Sequence, residues 1–324
     1  MAQSLTQEFN LDIRPAANLA FQKIEQAHED AKKAKKPLVV LMGESHHCPT
    51  HRMVRQLVMQ KLSDEDYKFG YGVEYEWNYY PQDHQAFLAD RKGEKSLDVS
   101  QRNRFFDCAN QSFKNTLSFI ADKKIPFRPN DTGRKYQDDK IICVPPPIAE
   151  FENSPKDLDA QCPDGMYLRN QVIVRHAMDH LGKLGNDYFY IQHCGSAHIF
   201  GDKPEALPYE QSLSALFEQA GAQTLMVVPE LAYFTKDNIL QDMPMDQQGK
   251  IIWLKDLFQG TVTYEKTKLN DFTKGWFNDY GIQNESHLLQ IMSEESGGEI
   301  KLYNKKQGCF ESLFKKIIAP LCGL

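Results

Sequence analysis

Leu38-Val39-Val40-Leu41-Met42-Gly43-Glu44-Ser45-His46-His47 is the stretch on which the fold turns: an unbroken apolar run, a glycine, then a carboxylate and two imidazoles. A strand with one wet face alternates apolar and polar side chains. A short continuous apolar run is instead what a strand covered on both faces requires. Such strands belong to parallel sheets with helices above and below.

The flanking sequence repeats this grammar. Upstream, Pro15 suits a first helical turn, and Ala20, Ile24 and Ala27 form a stripe that ends in Lys32, Lys33, Lys35 and Lys36, where cations favour the helix dipole. Lys36-Pro37 breaks that helix. Downstream, Pro49-Thr50 opens a helix with Val54, Leu57, Val58 and Leu62 as its stripe, and a strand is predicted over Tyr71–Trp77. Helical spacing recurs near 102–123, through Phe106, Ala109, Phe113, Leu117 and Ile120. A weaker strand spans Ile125–Asn130, stopped by Asp131-Thr132-Gly133. Residues 133–165, with Pro145-Pro146-Pro147, form a long excursion holding one strand at Ile141–Val144. Helices near 164–183 and 209–220 then alternate with strands at Tyr188–Gln192 and Thr224–Val228.

Strands alternating with helices predict an α/β fold, a mainly parallel sheet with helices on both faces, plus a less regular C-terminal appendage. The expected organisation is an N-terminal arm and helix over 1–36, an α/β domain of catalytic type over 37–230, and an appendage over 231–324 packed on the same domain. Phe310, Leu313, Phe314, Ile317, Ile318 and Leu321 make an amphipathic pattern that either docks on the parent domain or meets a partner protein or membrane surface.

Of the 324 residues, 41% are apolar and 25% charged, which suits a globular chain, and the net charge of -6 gives no general attraction to nucleic acid or anionic membrane. No run approaches the ~18 apolar residues of a transmembrane span. The seven cysteines (Cys48, Cys108, Cys143, Cys162, Cys194, Cys309 and Cys322) are odd in number, without any Cys-x-x-Cys, as in a reducing compartment. No basic segment followed by an apolar stretch opens the sequence, so the expected location is the cytoplasm, or outside the cell by a signal-peptide-independent system.

The chemistry concentrates in two copies of one design, an apolar strand followed by Gly-x-x-His. The first gives Gly43, Glu44, His46 and His47; the second, YFYIQHCGSAH, gives Gly195 and His198. Residue frequencies predict about half of one Gly-x-x-His by chance. Two, each after a strand, put imidazoles where open parallel sheets bind ligands, and a glycine there allows a sharp turn and close backbone approach. A satisfied structural histidine is the plain reading of either one alone. Glu74 and Glu76, in YGVEYEW, share a strand face ~7 Å apart, either a solvated edge or carboxylates beside the histidines. Arg169 shares a helix face with Met166, Ile173 and Ala177, costly for a guanidinium unless it snorkels to a rim, pairs with Glu44 or Glu74, or meets a developing oxyanion. Asp131 is a further crevice carboxylate or a turn residue. His51 reads as a helix-surface residue, and His193-Cys194 or His46 with Cys48 as either small core residues or a Cys-His pair.

The ordered blocks G-E-S-H-H-C-P-T-H (43–51), G-V-E (72–74), R-N (169–170) and G-S-A-H-I-F-G (195–201) resemble a superfamily that joins the erythromycin esterases, the Tiki-type proteases with their TraB relatives, and the ChaN-like haem-binding proteins. The resemblance covers roughly 37–230. It implies an α/β fold with its site at the strand ends, His46, His198, Glu44 and Glu74 as site residues and Arg169 in support. The esterase branch implies histidine activation of water without metal. The Tiki-like branch implies a divalent metal (manganese, cobalt or zinc), with His46, His198 and Glu74 as ligands. Asn170 stands where the esterase pattern favours an acidic residue.

The expectation is a hydrolase of an ester or amide in a small molecule or peptide, with His46 as general base, Glu44 or Glu74 orienting it, and His198 and Arg169 stabilising the oxyanion. Two alternatives stand beside it: a non-catalytic haem- or cofactor-binding protein of the ChaN-like type, and a secreted bacterial effector or toxin domain using the same site.

Overall fold

The computed structural model describes residues 14–44, 49–77, 116, 119–137, 140–200, 207–228, 250–254, 261–265 and 299–303. All but the last residue of the arm expected over 1–14, most of the helix near 102–123 and the amphipathic pattern at 310–321 lie outside the described residues. So do His46, His47 and Cys48.

The described residues open with α1 (Arg14–Ala34), β1 (Leu38–Glu44), α2 (Pro49–Asp64), β2 (Phe69–Glu76) and β3 (Phe127–Asp131). A hairpin of β4 (Gly133–Gln137) and β5 (Lys140–Val144) follows, then α3 (Pro163–Leu184), β6 (Phe189–Gly195), α4 (Ser196–Phe200), α5 (Leu213–Gln219), β7 (Gln223–Val228) and β8 (Ile251–Trp253). A separate parallel pair joins β9 (Thr261–Glu265) to β10 (Glu299–Tyr303).

The main sheet is six-stranded, in the order β3-β2-β6-β1-β7-β8, and every pairing within it is parallel. This is the predicted α/β architecture. β1 sits between β6 and β7 with all seven residues buried, the physical counterpart of its unbroken apolar run. Successive side chains go to opposite faces. Leu38, Val40 and Met42 pack with Ile24, Val54, Val58 and Leu62 of α1 and α2; Val39 and Leu41 pack with Ile173, Ala177, Ile199 and Phe217 of α3, α4 and α5. Among the described residues no helix is long and apolar enough to cross a membrane.

Three expectations are revised. The excursion after Asp131 carries two strands rather than one, an antiparallel pair. β6 runs on through His193 and Cys194 to Gly195, three residues past the predicted end, because parallel pairing with β1 continues to Glu44↔Gly195. The sheet also takes a sixth strand, β8, from beyond the expected domain boundary at 230. Its polar flanks gave that three-residue strand no periodicity to read.

Chain order and sheet order differ at one place of consequence. After β1 the chain moves to α2 on one face and on to β2; after β6 it moves to α4 and α5 on the other face and on to β7. Neighbouring strands whose exits diverge to opposite faces open the sheet's carboxyl edge, the usual ligand position in such folds.

Candidate functional site

The two Gly-x-x-His segments leave from β1 and β6, which are adjacent and in matched register: Gly43 lies opposite Cys194 and Glu44 opposite Gly195. Gly43 is not a turn residue. It is an extended strand position, and a Cβ there would meet Ser196 Oγ at 2.8 Å, Val228 Cγ1 at 2.9 Å and Ile199 Cδ1 at 3.0 Å. The glycine lets α4 sit against the strand end, which brings His198 to the carboxyl edge.

Glu74 organises one side of this edge. Its Oε2 accepts from the Gly195 amide at 2.7 Å, tying β2 to the end of β6. Its Oε1 accepts from Arg169 Nη2 at 2.5 Å and lies 3.2 Å from His198 Nε2. Arg169 comes from α3, a helix begun by Pro163 and closed by Gly185 at φ 93°. Its other partner is Asp131 at the end of β3, gripped by Nε at 3.1 Å and Nη2 at 2.7 Å, a bidentate pair. Arg134, from the hairpin, donates Nη2 to Asp131 at 2.9 Å and its backbone N–H to Glu76 at 2.9 Å. Glu74 and Glu76 therefore both meet this arginine-rich cluster, Arg134 Nη2 lying 3.9 Å from Glu74.

These charges fix one another. Burial alone would raise the Asp131 carboxyl, but Arg169 and Arg134 outweigh it and hold it at about 2. Burial works against the Arg169 charge in turn, and Asp131 and Glu74 more than restore it.

His198 is held from behind. Its Nδ1 lies 2.5 Å from Asn170 Oδ1, while Asn170 Nδ2 donates to Gln211 O at 2.9 Å and His198 O at 3.4 Å. Those two carbonyls orient the amide so that an acceptor faces Nδ1, while Nε2 is turned to the Glu74 carboxylate, so both ring nitrogens of His198 face acceptors. Asn170, noted in the sequence only as a departure from a pattern, fixes the orientation of the ring.

Glu44 lies elsewhere. Its place in β1 sends it to the α1/α2 face, where Oε2 is 2.5 Å from His193 Nε2 and 3.3 Å from Arg55 Nη1. Arg169 accordingly pairs with Glu74 and Asp131, and the alternative of a Glu44 partner is ruled out by the sheet between them. His51, expected on a helix surface, is 3% exposed. His193 and Cys194 do not form a Cys-His pair, because adjacent strand residues face opposite ways: His193 stacks 6.4 Å from Tyr71, and Cys194 belongs to the α3 side. Burial pushes the Cys194 thiol well up, and Cys143 to about 11.

Arg134 and Arg55 were missed. Arg134 had no signal, since a hairpin has no helical periodicity to make a charge look misplaced. Arg55 had one: it falls on the stripe of His51, Val58 and Leu62, the same anomaly that drew attention to Arg169.

Among the described residues no three His, Cys, Asp or Glu side chains gather as a metal site. Of the expected ligands His46, His198 and Glu74, His46 is outside the described residues, and Glu74 does not suit a divalent cation. A guanidinium occupies one of its oxygens and a backbone amide the other.

No family model, no curated protein and no solved structure matches the chain.

Proposed function

We propose that this chain is a hydrolase of an ester or amide bond in a small molecule or peptide, working at the carboxyl edge between β1 and β6. The observation that carries the reading is the register. Two Gly-x-x-His segments, about 150 residues apart in sequence, leave adjacent strands at a point where the connections diverge to opposite faces.

His46 acts as the general base. It takes a proton from water as the oxygen attacks the carbonyl carbon, and returns it to the departing alkoxide or amine as the acyl bond breaks. Glu74 is a fixed negative charge rather than a proton carrier, since both its oxygens already accept strong donors. His198 and Arg134 take the charge that develops on the carbonyl oxygen; Arg134, at 17% side-chain exposure, is more open than Arg169 at 7%. Arg169 acts through Glu74, its fork being committed to two carboxylates.

Turnover of a broad panel of activated esters and anilides tests this. His46→Ala should lower kcat/KM by roughly 10²–10⁴, with wild-type activity unchanged after dialysis against chelator. Turnover that survives His46→Ala sinks the assignment.

A further inference from the structure

Arg55 belongs to a second polar cluster, on the face of the sheet opposite Glu74. It projects from α2 and is 1% exposed, yet among the described residues it makes one hydrogen bond, from Nη1 to Glu44 at 3.3 Å. Its Cζ lies 6.0 Å over the centroid of the Tyr71 ring, at the outer limit of a cation–π contact, which leaves the N–H donors themselves unmet. Nε and Nη2 are both buried and meet no hydrogen-bond partner.

Those two nitrogens are not a random pair. They form the side-on edge of the guanidinium, whose parallel N–H bonds match the two oxygens of a carboxylate or phosphoryl group. The chain shows this edge in use at Arg169, where Nε and Nη2 grip Asp131. Arg169 also shows that one guanidinium can serve two carboxylates, taking Glu74 as well. Arg55 has the first half of that arrangement, with Glu44 on Nη1, and among the described residues no group meets the second half. Buried charged donors are almost always paired, because their lost hydration is otherwise uncompensated. Glu44 and its neighbour His193 place Arg55 near the ends of β1 and β6, across the sheet from Glu74 and His198.

We propose that Arg55 binds an oxyanionic group, a carboxylate or a phosphate, through its Nε–Nη2 edge. In taking that group to be part of the substrate, the proposal rests on the hydrolytic reading above and narrows it to esters or amides that carry an anion.

The test is direct and needs no turnover. The full-length chain, labelled with ¹⁵N-arginine, gives Nε–H resonances; that of Arg55 is assigned by side-chain correlation in the wild type and checked with Arg55→Lys. Acetate and inorganic phosphate are titrated separately, against sodium chloride at equal ionic strength. The expected result is a saturable downfield shift at Arg55 with no shift at Arg169, and, by isothermal titration calorimetry of the same anions into both proteins, affinity weakened on the order of tenfold or more in Arg55→Lys, which keeps the charge but loses the edge. A response to acetate alone assigns a carboxylate, to phosphate alone a phosphoryl group, and to both an oxyanion of either kind. No saturable shift, or the same shift with chloride, overturns the proposal. Anion binding without ester or amide turnover would instead sink the hydrolytic reading and leave the anion site standing.

Discussion

Asp131→Asn is the perturbation that bears most directly on how the site is held. Asparagine keeps the shape and one acceptor but removes the charge that faces Arg169 and Arg134. The wild-type carboxyl is held at about 2, against an ordinary 3.8. That gap corresponds to about 2–3 kcal/mol of stability at neutral pH. Asp131 is fully buried, so solvent does not screen this away. Stranding part of the Arg169 charge adds to the loss, giving about 3 kcal/mol in all. The folded-state value is the lower one, so the contribution is fully present above the ordinary value and disappears as pH falls through about 2. Urea unfolding of both proteins at several pH values reads it out. The gap should be about 3 kcal/mol at neutral pH, hold to about pH 5, and shrink by about 1 kcal/mol by about pH 3. A gap below about 1 kcal/mol at neutral pH, or one that stays constant down the acid limb, would refute the claim that paired charges hold this carboxylate.

Gly72→Ala should cost about 1–3 kcal/mol by urea unfolding, because its Cβ would meet Asn130 Nδ2 at 2.3 Å, Gln192 Oε1 at 2.5 Å and Tyr190 Oη at 2.7 Å. Asn130 donates to both of the other two groups, so none can yield freely. Gly182→Ala, in α3 with nothing near its Cβ, should instead stabilise by about 1 kcal/mol. Burial, aided by Arg128, lowers His176 from 6.5 to about 4. Between those values the unfolded chain binds a proton that the folded chain refuses, so stability falls as pH drops, and His176→Gln should remove up to about 3 kcal/mol of that fall. An unchanged acid limb in that variant would show that His176 is not kept neutral by the fold.

The strands that carry the site were legible because a covered parallel strand leaves a local trace. The runs before Gly43 and Gly195 can be recognised one at a time, from composition alone. Arg169 announced itself for the same reason, a charge on a stripe whose other members are apolar. The hairpin after Asp131 was half seen, since Ile141–Val144 is apolar but its partner, Gly133–Gln137, is polar and looks like a loop. β8 was not seen at all; three residues do not make a period.

By itself the sequence determined that two glycine–histidine segments would follow buried strands of a parallel sheet. Only the tertiary structure decided that those strands are neighbours, because β6 inserts between β1 and β2 and nothing near either strand encodes that order. It also decided that Glu44 and Glu74 go to opposite faces, one to Arg55 and His193, the other to Arg169 and His198. The physical reason is separation along the chain. A helix or strand is chosen by residues a few positions apart, whereas the bond from Gly195 to Glu74 closes a loop of 121 residues and exists only once the sheet has assembled.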